Sequence, residues 1–152
     1  MAPASPPAGY SGTPLATKLG VRPGTALALA GAVPPGFLGD TLELPDGVVV
    51  LSARSRATAH LALLFVVHRS ELAARLRPLL GRLPADGACW VAWPKRASKV
   101  ATDMDENVVR EVALPLGVVD NKVAAIDAVW SGLRLVVRLE NRSSWPSSLE
   151  PG

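Results

Sequence analysis

Two continuous apolar runs, residues 61–67 and 88–93, lie on either side of a segment in which leucines recur every three or four positions. Apolar runs of this length are typical of strands that are buried on both faces of a parallel sheet, and the recurring leucines are typical of one face of a helix. The pattern therefore predicts a right-handed strand–helix–strand unit, with the helix in residues 70–83. Pro78 lies inside the helical pattern and predicts a kink or a break there.

The chain before this unit predicts a short helix and two more strands. Thr13 followed by Pro14 is typical of a helix start, and Gly20 is typical of a helix end. Residues 25–30 form an apolar run, and residues 48–51 are rich in β-branched side chains. These two segments predict the first and second strands.

The chain after the central unit predicts a third helix and a hairpin. Asp103 and Glu106 are spaced as a capping box, which places the start of the helix beside Asp103. Residues 122–130 and 133–139 read as strands, and only the dipeptide Ser131-Gly132 separates them. A turn this short makes the two strands antiparallel.

Together these elements predict a single three-layer α/β domain with a Rossmann-like fold. Its sheet has six mostly parallel strands and a C-terminal antiparallel hairpin. A length of 152 residues fits one domain. We expect the domain to span residues 10–140, between a disordered, Pro- and Ala-rich N-terminal tail (1–9) and a loose C-terminal tail (141–152).

Composition narrows the class of protein. Hydrophobic residues make up 49% of the chain and charged residues 19%, as in a folded globular domain. The net charge of +3 comes from 16 basic and 13 acidic residues scattered along the chain, so we expect no nucleic-acid partner.

No apolar run approaches the roughly 18 residues needed to cross a bilayer, and the N-terminus shows no secretory signal, so we expect no membrane association. Cys89 is the single cysteine and lies in an apolar run, which indicates a buried thiol, no internal disulfide and the cytoplasm as the default compartment.

Several catalytic chemistries lack the residues that they need. His60 and His68 lie eight positions apart at opposite ends of a predicted strand, without a cysteine or carboxylate at metal-ligand spacing, so we expect no metal site. The chain contains no Gly-x-Ser-x-Gly nucleophile motif and no Gly-x-x-x-x-Gly-Lys-Ser/Thr phosphate loop. The sequence therefore assigns no catalytic residue.

The carboxyl ends of the strands remain as the candidate site, because ligands of open α/β sheets bind there. The candidate ligand-binding residues follow the predicted strands or open the third helix: Gly31, Pro34, His68, Arg69, Trp93, Lys95, Lys99, Thr102, Asp103 and Trp130. Lys95, Arg96 and Lys99 precede a predicted helix N-terminus, where they would hold a phosphate or a carboxylate. The alternative is that these cations are solvated and partly balanced by Asp103, Asp105 and Glu106.

Three tryptophans bear on this site. Trp90 and Trp93 are an odd number of positions apart in one strand, so their side chains point to opposite faces of the sheet. Trp130 is either an exposed aromatic at a hairpin tip or, as is more usual for tryptophan, a packed one.

The order of elements resembles that of class I methyltransferases over residues 21–139. Those enzymes also close a run of alternating strands and helices with an antiparallel hairpin, so the resemblance implies their fold. It also implies the strand order 2-1-3-4-6-5, with strands numbered along the chain, and, as the alternative to no cofactor, S-adenosylmethionine. Two positions depart from the family's pattern. The loop after the first strand, residues 31–36, has Pro34 and Pro35 where the family has a glycine-rich loop. The second strand leads to Arg54, where the family has an acidic residue that holds the ribose hydroxyls.

A second resemblance spans nearly the whole chain and is carried by short motifs. They are Tyr10-Ser11-Gly12-Thr13-Pro14-Leu15 with Lys18-Leu19-Gly20, Trp93-Pro94-Lys95, Val100-Ala101-Thr102-Asp103 and Trp130-Ser131-Gly132-Leu133. These motifs resemble those of a family of small bacterial proteins, common in actinobacteria, that is classed as a domain of unknown function. The resemblance implies a family and no activity.

The leading interpretation is a non-catalytic, regulatory domain that binds a small anion or a protein partner and uses no cofactor. The alternative is a divergent S-adenosylmethionine-dependent methyltransferase or nucleotide-using enzyme with Lys95, Asp103 and Trp130 in its site. A third interpretation, a purely structural dimerising module, requires an exposed apolar surface. A deep pocket bordered by Trp93, Lys95 and His68 would favour an enzyme or a ligand binder, whereas a crevice filled by side chains would favour an interaction protein.

Overall fold

The computed structural model describes residues 13–149. Within this range the α-helices are α1 (Leu15–Leu19), α2 (Arg69–Leu80) and α3 (Glu106–Ala113). The strands are β1 (Ala26–Gly31), β2 (Val49–Leu51), β3 (Leu61–Phe65), β4 (Ala88–Pro94), β5 (Val118–Ala125) and β6 (Trp130–Val137). An irregular turn lies at Phe37–Thr41, and 3-10 turns lie at Arg96–Ser98, Leu114–Leu116, Leu139–Ser144 and Ser147–Leu149. No helix of the described range is long and apolar enough to span a bilayer.

The strands form one sheet in the order β2-β1-β3-β4-β6-β5, as the sequence predicted. β1 pairs in parallel with β2 and with β3, and β3 pairs in parallel with β4. β6 pairs antiparallel with both β4 and β5. The predicted α/β fold with a C-terminal antiparallel hairpin is therefore confirmed. The order reverses between β1 and β3, which makes the carboxyl ends of those two strands the topological switch point.

Two hydrophobic clusters cover the two faces of the sheet. β3 and β4 are buried along their whole length, as expected of central strands in a sheet covered on both sides. On one face, Leu76 of α2 and Trp93 of β4 belong to the same buried cluster. On the other face, Trp90 packs with Leu19 of α1, and the indole Nε1 donates to the Leu19 carbonyl at 2.9 Å. The two tryptophans thus lie on opposite faces, as their spacing predicted.

The C-terminal hairpin turns four residues earlier than predicted. Ser131 and Gly132 lie inside β6 rather than in a turn, so the predicted turn is wrong. The chain instead reverses at Asp127, whose Oδ1 accepts from the backbone N–H groups of Val129 and Trp130, both at 2.8 Å. A side-chain carboxylate that bonds the backbone two and three residues ahead stabilises such a turn without a glycine.

Helices α1 and α2 differ from their predictions at single proline residues. Of the kink or break expected at Pro78, the break does not occur, because α2 runs through Pro78 as far as Leu80. Pro78 deprives only the carbonyl of Ala74 of its helical partner, and Ala74 is exposed to water, which can take that place. α1 begins one residue later than predicted, with Pro14 at its N-cap, and ends as predicted at Gly20, whose φ is 85°.

The described part of the C-terminal segment packs against the end of α2. The indole Nε1 of Trp145 donates to the Leu83 carbonyl at 2.9 Å, and an Nη of Arg77 donates to the carbonyl of Leu149. Leu149 is itself buried in the cluster beneath α2. Residues 141–149 therefore differ from the loose tail we expected, because two apolar side chains anchor an otherwise polar stretch. The expected N-terminal tail, residues 1–9, lies outside the described residues.

Candidate functional site

The ends of four strands meet at the edge of the sheet where the sequence placed the site. In the strand register Gly31 at the end of β1 lies opposite Phe65 of β3, and Phe65 lies opposite Ala92 of β4. Pro94, two residues further along β4, lies opposite Trp130 at the start of β6. The structure therefore brings Gly31, Trp130 and the end of β4 to one edge.

Three aromatic side chains pack together at this edge. The ring of Phe37, in the irregular turn after β1, lies edge-on to Phe65 with centroids 4.9 Å apart. Trp130 lies edge-on to the same Phe65 ring from the other side, with centroids 5.0 Å apart. Phe37 and Phe65 are buried, and Trp130 is half-buried. We call these three residues the aromatic cluster. Trp130 is thus packed rather than an exposed hairpin tip.

The loop after β1 is bonded directly to the end of β3. The backbone N–H of Ala32 donates to the Phe65 carbonyl at 2.9 Å. Gly31 has a φ of 81°, and a Cβ there would stand 2.0 Å from the same carbonyl oxygen. Further along the loop, the carbonyl of Pro34 accepts from the N–H of Phe37 at 3.0 Å. The loop therefore closes onto β3 and carries Phe37 into the edge, with no α-helix between β1 and β2.

The N-terminus of α2 is occupied by the protein's own carboxylates. The backbone N–H of Arg69 donates to Asp103 Oδ1 at 2.8 Å, and the N–H of His68 donates to Glu71 Oε1 at 2.9 Å. The guanidinium of Arg69 pairs with Glu111 of α3. His68 is the N-cap residue of α2 and is exposed.

Thr102 and Asp103 do not open the third helix, so that prediction is wrong. α3 starts at Glu106, and its N-cap is Asp105, whose Oδ1 accepts from the Val108 N–H at 2.8 Å. Thr102 Oγ1 donates to the Val67 carbonyl and accepts from the Met104 N–H, the latter at 3.0 Å. Both residues fasten the loop before α3 to the end of β3 and the start of α2.

The basic residues after β4 lie on an exposed loop. Trp93 is buried, and Lys95 is half-buried with its backbone N–H donating to the Val129 carbonyl at 2.7 Å. Arg96 and Lys99 are exposed, and Lys99 has a φ of 62°. Among residues 13–149, no carboxylate oxygen lies within 4.0 Å of the charged nitrogens of Lys95, Arg96 or Lys99. These cations are therefore solvated, and none of the described acidic residues pairs with them.

Four cavities that open between described elements have volumes of about 490, 840, 240 and 280 Å³. None of the four is lined by Trp93, Lys95 or His68. The 840 Å³ cavity lies between α1, the turn at Phe37–Thr41 and the hairpin tip, and carries Lys18, Asp40, Glu43 and Asp127 on its walls. None of these four cavities is therefore the deep pocket bordered by Trp93, Lys95 and His68 that would favour an enzyme or a ligand binder.

The 490 Å³ cavity is lined by residues that the sequence analysis did not assign to a site. It carries four arginines: Arg54, Arg56, Arg75 and Arg82. In the sequence two of them belong to a polar connection and the others to the polar side of α2 and its end. These arginines come together because the connection from β2 to β3 crosses the sheet beside α2, and no local sequence pattern predicts that crossing.

The histidines and the cysteine have structural surroundings. No group of three or more His, Cys, Asp or Glu residues in the described range is arranged to hold a metal ion. Nδ1 of His60 accepts from the Ala26 N–H at 3.0 Å, which joins the starts of β3 and β1. Burial of Cys89 raises the pKa of its thiol to about 12, so the thiol stays protonated and unreactive at neutral pH.

Solved structures share the fold at low sequence identity. A putative type 11 methyltransferase from Sulfolobus solfataricus superposes with a TM-score of 0.53 and 11% identity, covering 82% of this chain and 89% of that one. Magnesium protoporphyrin IX methyltransferase from Synechocystis, with bound SAH, gives a TM-score of 0.52 and 13% identity, covering 81% and 78%. A SAM-dependent methyltransferase from Aquifex aeolicus gives 0.50 and 11%, covering 80% and 87%. No protein-family model and no curated protein sequence matches the chain. The similarity shows a methyltransferase-like Rossmann fold.

Proposed function

We propose that this protein is a non-catalytic, cytoplasmic interaction domain that binds an acidic protein partner and uses no adenosyl cofactor. The observation that carries the proposal is the aromatic cluster, which occupies the edge of the sheet where ligands of this fold bind. The proposal includes membership of the bacterial domain of unknown function, whose motifs at residues 93–95 and 100–103 flank the exposed basic loop.

The switch point between β1 and β3 offers little to a cofactor. The N–H of Ala32 is already bonded to the Phe65 carbonyl, so it is not free to approach a ligand. Because no α-helix follows β1, there is no helix N-terminus to receive a carboxylate or phosphate. The end of β2 leads to Arg54, which cannot accept hydrogen bonds from ribose hydroxyls. Each departure argues against an adenosyl ligand at this edge.

The basic loop supplies the binding surface of the proposal. Lys95, Arg96 and Lys99 present positive charge without a carboxylate partner in the described range. Exposed like charges of this kind speed association with a surface of opposite charge and select against the wrong partners. The fitting partner is therefore a protein with an acidic patch.

The same loop fits a small anion less well. Binding sites for small ligands are concave, and none of the four cavities is lined by Lys95, Arg96 or Lys99. Asp103 and Glu71 already accept from two N–H groups at the nearby start of α2, and Asp105 accepts from one N–H group of α3. A flat or protruding basic loop is better matched by another protein's surface.

The test is charge reversal on the loop. Immobilised wild-type protein and the Arg96→Glu/Lys99→Glu variant are used to capture partners from a lysate of the source organism, and each captured protein is purified and titrated by calorimetry. Arg22→Glu/Arg142→Glu, which changes charge by the same amount at exposed positions elsewhere, is the matched control. We expect a purified acidic partner whose affinity falls at least tenfold in the loop variant and falls with added salt. An affinity that is equal in both variants, or the absence of any partner that rebinds after purification, would overturn the proposal.

The second candidate is a divergent methyltransferase, and the similarity to the three methyltransferase structures is the observation that favours it. In that case Lys95, Asp103 and Trp130 would lie in its site. The aromatic cluster would have to open to admit the cofactor, and Asp103 would have to leave the N–H of Arg69. This candidate therefore requires measurable binding of S-adenosylmethionine or SAH.

A further inference from the structure

The 490 Å³ cavity lies where the connection from β2 to β3 crosses over β1. The connection, residues 52–60, contains no helix, so it covers only part of the sheet face beside α2. Ala59 and Ala30 belong to the same buried cluster as Leu79 of α2, which places the crossing on the α2 side. A groove therefore remains between the connection and α2, with the end of β1 beneath it.

The walls of this cavity combine an apolar floor with a cationic rim. Ala30 and Leu79, both buried, and Pro78 supply the apolar part. The rim carries arginines from both sides, two from the connection and two from α2 and its end: Arg54, Arg56, Arg75 and Arg82. No acidic residue lines the cavity, and within residues 13–149 none of these four guanidinium groups has a carboxylate oxygen within 4.0 Å.

Arg82 is held in place before any ligand arrives. Its Nε donates to the Ala57 carbonyl at 3.1 Å, and Nη1 donates to the Ser52 carbonyl at 3.0 Å. Nη2 is buried and has no hydrogen-bond partner among the described residues. These two bonds join the connection to the end of α2, so the positive charge of Arg82 lies beside the cavity whether or not a ligand is bound.

These observations point to an anionic ligand with an apolar part. Four cations around one cavity repel one another, and an anion between them relieves that repulsion. Guanidinium groups match phosphate oxygens in two-bond geometry, and the apolar floor favours a ligand with a carbon skeleton over a bare ion. The volume lies within the range of about 300–1,000 Å³ that small-molecule pockets occupy.

We propose that the arginine-lined cavity between residues 52–60 and α2 binds an organic phosphate of nucleotide size. The phosphate lies among Arg54, Arg56 and Arg75 on the rim, and the body of the ligand lies over Ala30 and Leu79. This site is separate from the basic loop after β4 and does not depend on the proposed protein partner.

The test is calorimetric titration of the full chain with ATP, ADP, AMP, adenosine, inorganic phosphate and citrate. We expect affinity to rise from AMP to ATP, and adenosine and inorganic phosphate each to bind much more weakly than ATP. Citrate separates phosphate recognition from a general preference for anions. Arg54→Gln and Arg75→Gln, both at exposed positions, should each weaken ATP binding about tenfold or more, because each removes a charge-assisted contact.

Two further variants test whether ATP binds in this cavity or at the basic loop. Ala74→Glu places a carboxylate on the exposed rim, and we expect it to abolish ATP binding while the protein unfolds at the same temperature or higher. Arg96→Gln, on the basic loop, should leave ATP binding unchanged. The proposal is overturned if no organic phosphate binds at millimolar concentration, if citrate binds as tightly as ATP, if inorganic phosphate alone matches ATP, or if Arg96→Gln weakens binding and Arg75→Gln does not.

Discussion

Phe65 at the end of β3 and Trp130 at the start of β6 lie edge to face, with ring centroids 5.0 Å apart and ring planes at 86°. The two strands are not neighbours, because β4 runs between them. β4 contributes Ala92 opposite Phe65, a side chain small enough to let the two rings meet across it. This contact, together with the contact of Phe37 with the same ring, closes the edge of the sheet at the end of β3.

Truncation of Phe37 should destabilise the fold strongly. Phe37 is buried against Phe65, so Phe37→Ala removes a large apolar side chain and leaves a cavity, and we expect a loss of about 3–5 kcal/mol in the free energy of unfolding. Phe37→Leu keeps most of the volume and should lose less than about 1.5 kcal/mol. Urea unfolding measures both. Equal small losses would show that Phe37 is not packed in the cluster.

Addition of a methyl group at Gly31 should be more harmful than at Gly20. Both glycines have positive φ, 81° and 85°, so alanine at either position costs about 1–2 kcal/mol. A Cβ at Gly20 meets nothing within 4 Å, whereas one at Gly31 would stand 2.0 Å from the Phe65 carbonyl oxygen. Gly31→Ala should therefore lose about 1–3 kcal/mol more than Gly20→Ala, since the backbone must shift. Thermal or urea unfolding that ranks the two variants equally would contradict the close contact at the switch point.

Asp103 should stabilise the folded protein by capping the start of α2. Its carboxylate accepts from the N–H of Arg69 in the first turn of that helix, so Asp103→Ala should lose about 1 kcal/mol, while Asp103→Asn, which keeps the acceptor, should lose less. Asp86→Ala is the control, because the Asp86 carboxylate makes no hydrogen bond with the described residues. If Asp103→Ala left stability unchanged, the carboxylate would be free for the ligand role that the sequence first suggested.

Cys89 should make the fold sensitive to alkaline pH. Burial raises the pKa of its thiol to about 12, so the unfolded chain loses this proton at lower pH than the folded protein does. Stability is then unaffected below about pH 9 and falls as the pH rises toward 12, with a loss of about 1.4 kcal/mol at pH 10. Urea unfolding at pH 8 and pH 10 measures the loss.

The comparison is made with Cys89→Ala, which has no thiol to ionise. The variant should be less stable at both pH values because of its smaller side chain, yet it should lack the part of the pH dependence that the thiol causes. The same slope in both proteins would show that other groups are responsible.

The strands of the sheet were predictable from local signals, whereas their order followed from the resemblance to class I methyltransferases. The continuous apolar runs of β3 and β4 indicate central strands, and the short final connection indicates an antiparallel pair. The position of that turn was not predictable, since Gly132 looks like a turn residue. A Cβ at Gly132 would lie 3.1 Å from the Trp90 ring and 3.1 Å from the Ile126 side chain, so the glycine allows close packing against a residue that lies 42 positions earlier in the chain.

The sequence predicted the location of the candidate site but not the contacts that its residues make. The rule that ligands bind at strand ends led to Gly31, Lys95 and Trp130, and the structure does bring Gly31 and Trp130 to one edge. The partner of Asp103 could not be read from the sequence, because the N–H that it accepts from lies 34 residues away. The local spacing to Glu106 suggested a capping box instead. The four arginines of the cavity likewise come from segments that only the β2-to-β3 crossing brings together.

The most direct test of the closed edge is calorimetric titration of the purified protein with SAH, with thermal unfolding alongside. We predict no heat of binding and no change in unfolding temperature, because Phe37 and Trp130 pack against Phe65 at the end of β3, the edge at which ligands of open α/β sheets bind. Saturable binding of SAH would show that the edge of the sheet is open to an adenosyl ligand. At about a hundredfold the dissociation constant it would add about 2.7 kcal/mol to the free energy of unfolding and raise the unfolding temperature by several degrees. That result would make the methyltransferase candidate the one to pursue.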